Sequence, residues 1–255
     1  MSDNPWVSRI GAPRPERPVL LIFPHAGSGA SAFQRWRRTA PEDVEVLAVR
    51  MPGRETRIRE PLVADLPTLV ERVADGVADV LEGRPYAFYG HSVGSLVAYE
   101  LTLLRRARGL PEPEGLTLSG YPAPHLRTPD PLHEEPDDTL LEFLRERDYV
   151  PELLLTQKGF MEMLLPILRA DFALAGGYRP GAYGVEEPLS CPVHAFGGGD
   201  DPFVTPKELA GWGDLTRGEF TSEIFPGGHF FVFERSEAVL RAAVSRLTGR
   251  GASEV

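Results

Sequence analysis

The chain has 255 residues, with 37 acidic against 27 basic side chains and a formal net charge of −10. That balance argues against a broad nucleic-acid surface, which needs a basic face. A single cysteine, Cys191, excludes an internal disulfide and suits a reducing cytoplasm.

The length suits one large α/β domain or two small ones, with ample material for a core. Residues 1–17, with Pro5, Pro13 and Pro15, read as a flexible lead-in without the apolar stretch of a secretion signal. No apolar run approaches the roughly 18 residues of a membrane span. Val19-Leu20-Leu21-Ile22-Phe23 is a central-strand candidate that breaks at Pro24-His25-Ala26-Gly27-Ser28-Gly29. Ser28 or Ser31 is a candidate cap for the helix that follows, which carries Phe33 and Trp36. Val44 to Val49 is the next strand, closed by Pro52-Gly53-Arg54, and a basic loop with Arg54, Arg57 and Arg59 follows. Leu66, Leu69, Val70, Val73, Val77, Val80 and Leu81 keep a helical period up to Gly83.

Tyr86 to Tyr89 is an apolar, aromatic run suited to a buried strand. Leu96, Val97, Leu101 and Leu104 then recur at helical spacing. Gly115 to Gly120 is a further strand. The β-α-β-α-β order indicates a mostly parallel central sheet with helices on both faces. After Gly120 the pattern changes. From about His125 to Tyr178 no strand is expected, only helical segments such as those of Leu140 to Leu144 and Phe160 to Leu168. Asp130, Glu134, Glu135, Asp137 and Asp138 crowd its start as a solvated acidic face. Such an insertion at the carboxyl edge of a parallel sheet reads as a helical lid over residues 125–178. Strand and helix then resume: Cys191 to Phe196 runs into Gly197-Gly198-Gly199-Asp200-Asp201-Pro202, and Leu209 and Trp212 lie on a helix. Phe220 to Phe225 is the last strand, Pro226-Gly227-Gly228-His229 ends it, and Val239, Leu240, Val244 and Leu247 mark the closing helix. The expected organisation is one domain over 18–247, with 248–255 as a flexible tail.

Gly90-His91-Ser92-Val93-Gly94 is a G-x-S-x-G between a strand and a helix. A turn that sharp leaves no room for Cβ atoms beside the serine and presents Oγ at the carboxyl end of the strand. A serine hydroxyl needs a base, and an imidazole base needs a carboxylate to fix its tautomer. In α/β-hydrolases these follow in the order Ser, Asp or Glu, His, each in a loop after a strand. Ser92, Asp201 and His229 supply that order. His25 and His91 lie beside the serine but in the wrong order for the base; His125 and His133 fall in the lid, and His194 inside a strand. Asp200 and Asp201 are adjacent, and neighbours on a turn point apart; Asp201, preceding Pro202, is preferred and Asp200 is the alternative. An oxyanion hole needs two N–H donors. Val93, just after the nucleophile, is the first, and Ala26, in the early loop, is the second. No metal-ligand spacing and no phosphate-loop lysine is present, so neither a metal nor a cofactor is expected. Cys191 reads as a buried small hydrophobe.

The chain resembles the type II thioesterases of polyketide and nonribosomal peptide assembly lines. The matching residues are Phe23-Pro24-His25-Ala26-Gly27, Trp36, Pro52-Gly53-Arg54-Glu55, Gly90-His91-Ser92-Val93-Gly94, Ser119-Gly120, Ala123-Pro124, Leu168-Arg169-Ala170-Asp171-Phe172, Asp201, Trp212 and Gly227-Gly228-His229-Phe230-Phe231. The resemblance implies an α/β-hydrolase fold. It also implies a discrete cytoplasmic enzyme that removes aberrant or stalled acyl groups from the phosphopantetheine arm of acyl or peptidyl carrier proteins. Two departures occur. Tyr121-Pro122 stands where the family often has an arginine after Ser-Gly. Arg147-Asp148-Tyr149-Val150-Pro151 stands where its lid often carries Gly-Gly-Thr-Pro. Two other functions fit the same motifs: an acyltransferase passing the acyl group to another thiol or amine, and a non-catalytic carrier-binding module. Arg54, Arg57 and Arg59 are candidates for carrier docking near the pantetheine entrance.

Overall fold

The computed structural model describes residues 4–127, 131–185 and 187–248. Strands β1 (Val7–Ile10), β2 (Val19–Phe23), β3 (Glu45–Val49), β4 (Tyr86–His91), β5 (Leu116–Ser119), β6 (Val193–Gly198) and β7 (Phe220–Phe225) form one sheet. Its order is β1-β3-β2-β4-β5-β6-β7, and every pairing except β1 with β3 is parallel. The helices are α1 (Leu66–Gly76), α2 (Ala78–Leu81), α3 (Val93–Ala107), α4 (Asp137–Glu146), α5 (Glu152–Leu155), α6 (Lys158–Gly176), α7 (Pro206–Ala210), α8 (Phe231–Glu234) and α9 (Ser236–Thr248), with short 3-10 turns between them. Among the described residues no helix is long and apolar enough to cross a membrane.

The central strands are continuous apolar runs because helices cover both faces of the sheet. Along β2 the side chains alternate between the two layers. Val19, Leu21 and Phe23 join the α1, α3 and lid side, whereas Leu20 and Ile22 meet Phe33, Trp36 and α9 on the other. All five residues of β2 are buried. Full burial of one such side chain contributes roughly 1.5–3 kcal/mol. The sheet is therefore a rigid platform, and its parallel strands deliver their following loops to one edge.

Three expectations are corrected. Residues 7–10, read as part of a flexible lead-in, form an edge strand antiparallel to β3, with Val7 opposite Val49 and Ile10 opposite Val46. Trp6 anchors it: its carbonyl accepts from the Arg50 N–H, and its ring lies under the Arg57 guanidinium at 3.6 Å. The helix after β2 is a 3-10 helix over Ala30–Arg38, and neither Ser28 nor Ser31 caps it. Glu55, brought from another loop, accepts from the Ala30 N–H at 3.2 Å and the Ser31 N–H at 2.8 Å. The period from Leu66 to Leu81 is interrupted at Val77, which separates α1 from α2. The lid segment contains no strand among its described residues, and Asp130 lies outside them, as does all of the expected tail beyond Thr248.

Candidate active site

Ser92 sits between β4 and α3 with φ +53°, a left-handed conformation rare for a residue with a Cβ. The surroundings enforce it. A Cβ at Gly94 would come within 2.1 Å of the Phe23 carbonyl oxygen, and one at Gly90 within 2.4 Å of the Gly94 oxygen. The Ser92 N–H is tied to the Ser119 carbonyl at 2.7 Å. The sharp strand–helix turn read from Gly90 to Gly94 is thus present, and it leaves the serine partly exposed at the sheet's carboxyl edge.

His229 follows β7, and its Nδ1 lies 2.9 Å from Asp201 Oδ2. Both side chains are almost fully buried, the carboxylate at 0% exposure. The other Asp201 oxygen accepts the Phe203 N–H at 2.9 Å, so the carboxylate is fixed at both oxygens. Asp200 is exposed. The loop after β6 therefore brings Asp201, and not its neighbour, to the imidazole. His229 Nε2 is buried and has no hydrogen-bond partner. Phe203 packs against the ring at 4.6 Å between centroids. Ser92, His229, Val93 and Ala26 line one cavity of about 370 Å³. Val93 opens α3, where an N–H has no acceptor within the helix.

His25 and His91 complete a row of imidazoles, with His91 5.6 Å from His25 and 5.0 Å from His229 between centroids. Burial, with the His229 charge second, lowers His25 from 6.5 to about 3. The same causes hold His91 well below the ordinary histidine value. Both rings stay neutral at pH 7, so neither opposes a positive charge arising at His229. His91 Nδ1 is paired with Ser119 Oγ at 3.1 Å. His125 and His133 lie in the lid beside Asp214 and Glu134, and His194 is buried in β6 against Thr221. Cys191 is buried, and burial pushes its thiol up, which suits a packing role.

The basic loop is not a surface patch. Arg54 and Arg57 are buried, and Arg59 is exposed. Arg54 forms a two-pronged pair with Asp171 of α6, at 2.6 and 2.8 Å, and also donates to the Ser28 carbonyl at 3.0 Å. Arg57 donates to Glu60 and to the Arg50 carbonyl. Asp171 also accepts the Gly27 N–H at 2.8 Å. Sequence reasoning placed Arg54 and Asp171 in matched blocks but missed that they meet across 117 residues of chain. The lid, for its part, contributes Phe143, Tyr149 and Phe172 to the cavity wall. Tyr149, one of the departures from the family's lid, donates its hydroxyl to the Ala26 carbonyl at 3.0 Å.

A mostly parallel sheet with a serine on a strained strand–helix turn, followed in sequence by an acidic loop and a histidine loop at the same edge, defines an α/β-hydrolase. Within that class, the thioesterase domain family matches residues 18–247, and the chain belongs to it: it is a thioester hydrolase. Gramicidin S biosynthesis protein GrsT of Aneurinibacillus migulanus is 37% identical over 232 residues, covering 91% of this chain and 89% of that protein. The type II thioesterase BorB from the borrelidin biosynthetic cluster superposes with a TM-score of 0.84 at 34% identity, covering 97% of this chain and 99% of that one. ClbQ from the colibactin NRPS/PKS pathway gives a TM-score of 0.85 at 27% identity, covering 92% and 98%.

Proposed function

We propose that this chain is a stand-alone cytoplasmic serine thioesterase that clears acyl groups from the phosphopantetheine arm of acyl or peptidyl carrier proteins. The catalytic unit is 18–247, with 125–178 as its lid. The observation that carries the reading is that His229, paired with the buried Asp201 carboxylate, lines one cavity with a strained Ser92. The similarity to BorB, ClbQ and GrsT supports the assembly-line setting.

The chemistry follows from these positions. His229 Nε2 takes the Ser92 Oγ proton as Oγ attacks the thioester carbonyl, while Asp201 holds Nδ1–H and steadies the imidazolium. The N–H groups of Val93 and Ala26 receive the oxyanion, each such donor contributing about 3 kcal/mol in the transition state. The C–S bond breaks, the sulfur takes the proton from Nε2, and an acyl-Ser92 ester remains. Water then gives a proton to Nε2 and attacks the ester. The C–O bond breaks, Ser92 recovers its proton, and the free acid leaves. A panel of acyl-carrier proteins, read by intact mass, tests the reading. The expected result is loss of the acyl group with the bare arm retained. Ser92→Ala should slow that loss by about 10⁴-fold while the fold persists. Near-normal turnover in that variant would end the covalent reading.

A further inference from the structure

We propose that Tyr149 is a positioning residue for acyl transfer: the lid carries its hydroxyl in to hold the turn that bears the second oxyanion donor. The inference rests on the assignment of Ala26 as that donor.

His25, Ala26, Gly27 and Ser28 form a reverse turn closed by the Ser28 N–H donating to the His25 carbonyl at 3.2 Å. Ser28 Oγ donates to the same carbonyl at 2.9 Å. That carbonyl belongs to the peptide unit whose N–H is Ala26's, and a peptide unit is planar, so this pair of bonds orients the donor. Gly27, the third residue, has φ +76°, the sign that a type II turn requires. Type I and type II turns differ by a flip of their central peptide, here Ala26–Gly27. Glycine at the third position permits both forms. The turn alone therefore does not hold its own shape.

The lid does. The Ala26 carbonyl accepts from Tyr149 Oη, and the Gly27 N–H donates to Asp171 Oδ2. These are the two ends of the same central peptide, and both partners come from the insertion. Asp171 is itself locked by Arg54, which also reaches the Ser28 carbonyl. Tyr149 is delivered by a helix end built for it. Asp148 takes φ +48°, and the Tyr149 N–H returns to the Leu144 carbonyl at 2.9 Å and the Asp148 N–H to Arg145 at 3.2 Å. This is the left-handed stop that glycine usually occupies, here made by an aspartate, one of the few residues that tolerate it. The ring then lies among Phe172, Phe203, Phe230 and His229. Burial, with the Asp171 charge second, pushes the phenol well above its ordinary value, so the hydroxyl keeps its proton and remains a donor. Tyr149 and Ser92 line the same cavity.

Tyr149→Phe removes one oxygen and keeps the packed ring. Three probes read it: a short acyl-pantetheine thioester, its trifluoromethyl ketone analogue and its unreactive thioether. The ketone forms a hemiketal with the serine and loads the oxyanion hole; the thioether reports ground-state binding. For the variant, kcat should fall about tenfold with KM within about twofold. Affinity for the ketone should weaken by about the same factor, and affinity for the thioether should hold. A merely structural role would weaken both analogues equally, and that result overturns the proposal. Unchanged kcat overturns it as well. So does raised kcat, which would mean that the hydroxyl only obstructs Ser92. If the wild-type enzyme gives no hemiketal signal by fluorine NMR, the assignment of Ser92 itself fails, and this inference falls with it.

Discussion

Asp201 accepts from His229 Nδ1 through one oxygen and from the Phe203 N–H through the other. An amide in its place presents a donor to one of these two N–H groups, so Asp201→Asn must break a bond or turn the imidazole to the wrong tautomer. We expect Asp201→Asn to lower kcat/KM by about 10³–10⁴-fold. Asp200→Asn, at an exposed position, should stay within about twofold. Single-turnover acylation rates for both variants check this, and the reverse ranking would reassign the acid. The sequence order and Pro202 already favoured Asp201, because neighbours on a turn diverge. What no residue pattern disclosed was the Tyr149 contact. Its partner is a backbone carbonyl, and carbonyls leave no trace in side-chain chemistry.

Helix α3 carries two loads. Its first turn presents Val93, and its interior holds Glu100, a carboxyl only 2% exposed, which accepts from the Tyr178 hydroxyl at 2.8 Å. Tyr178 follows α6, so this bond ties the nucleophile's helix to the end of the lid. Burial raises Glu100 from 4.5 to about 7. The folded state therefore keeps a proton that the unfolded chain releases above 4.5, and stability from this group is lost as pH rises from 4.5 through 7. Glu100→Gln keeps an acceptor and carries no charge. It should be more stable than wild type at pH 8, by about 3 kcal/mol, and nearly equal to it at pH 4.5. Paired thermal melts at the two pH values decide this; an equal offset at both would remove the titration from the account. At this scale the long periodic segments were legible, because a helix or strand with a buried face repeats its apolar residues. The elements that escaped were held from elsewhere. The four residues of β1 have pairing on one side only and lean on Trp6; the helix after β2 takes its cap from Glu55, and the charges of Arg54 and Arg57 are absorbed by Asp171 and Glu60. Neither pairing shows in the local pattern, so the sequence presents Arg54 and Arg57 only as part of a basic loop and as docking candidates.

Across the whole molecule, two sets of buried groups oppose one another as pH falls. Glu100 favours the folded state between about 7 and 4.5, since only the folded chain holds that proton. His25 and His91 act against it. Their folded values lie below 6.5, so the unfolded chain takes up protons that the native rings refuse, and stability is lost as pH drops below 6.5. Near pH 7 the two sets cancel: the folded carboxyl holds about half a proton, and each unfolded imidazole about a quarter. Below 6.5 two histidines outweigh one carboxyl, and below 4.5 the carboxyl gives nothing further while the histidine loss continues. The melting temperature should therefore fall as pH drops below 6.5 and stay nearly level above about 7. Unfolding near pH 5.5 should take up a net of about one proton, two by the imidazoles less one from Glu100. Glu100→Gln should steepen the decline below pH 6.5 and raise the proton uptake at pH 5.5 to about two. Calorimetry in buffers of different ionisation enthalpy measures that uptake directly. Proton release on unfolding at pH 5.5 would mean that the row of imidazoles beside Ser92 is charged in the folded enzyme, and the neutral surroundings argued for His229 would be lost with it.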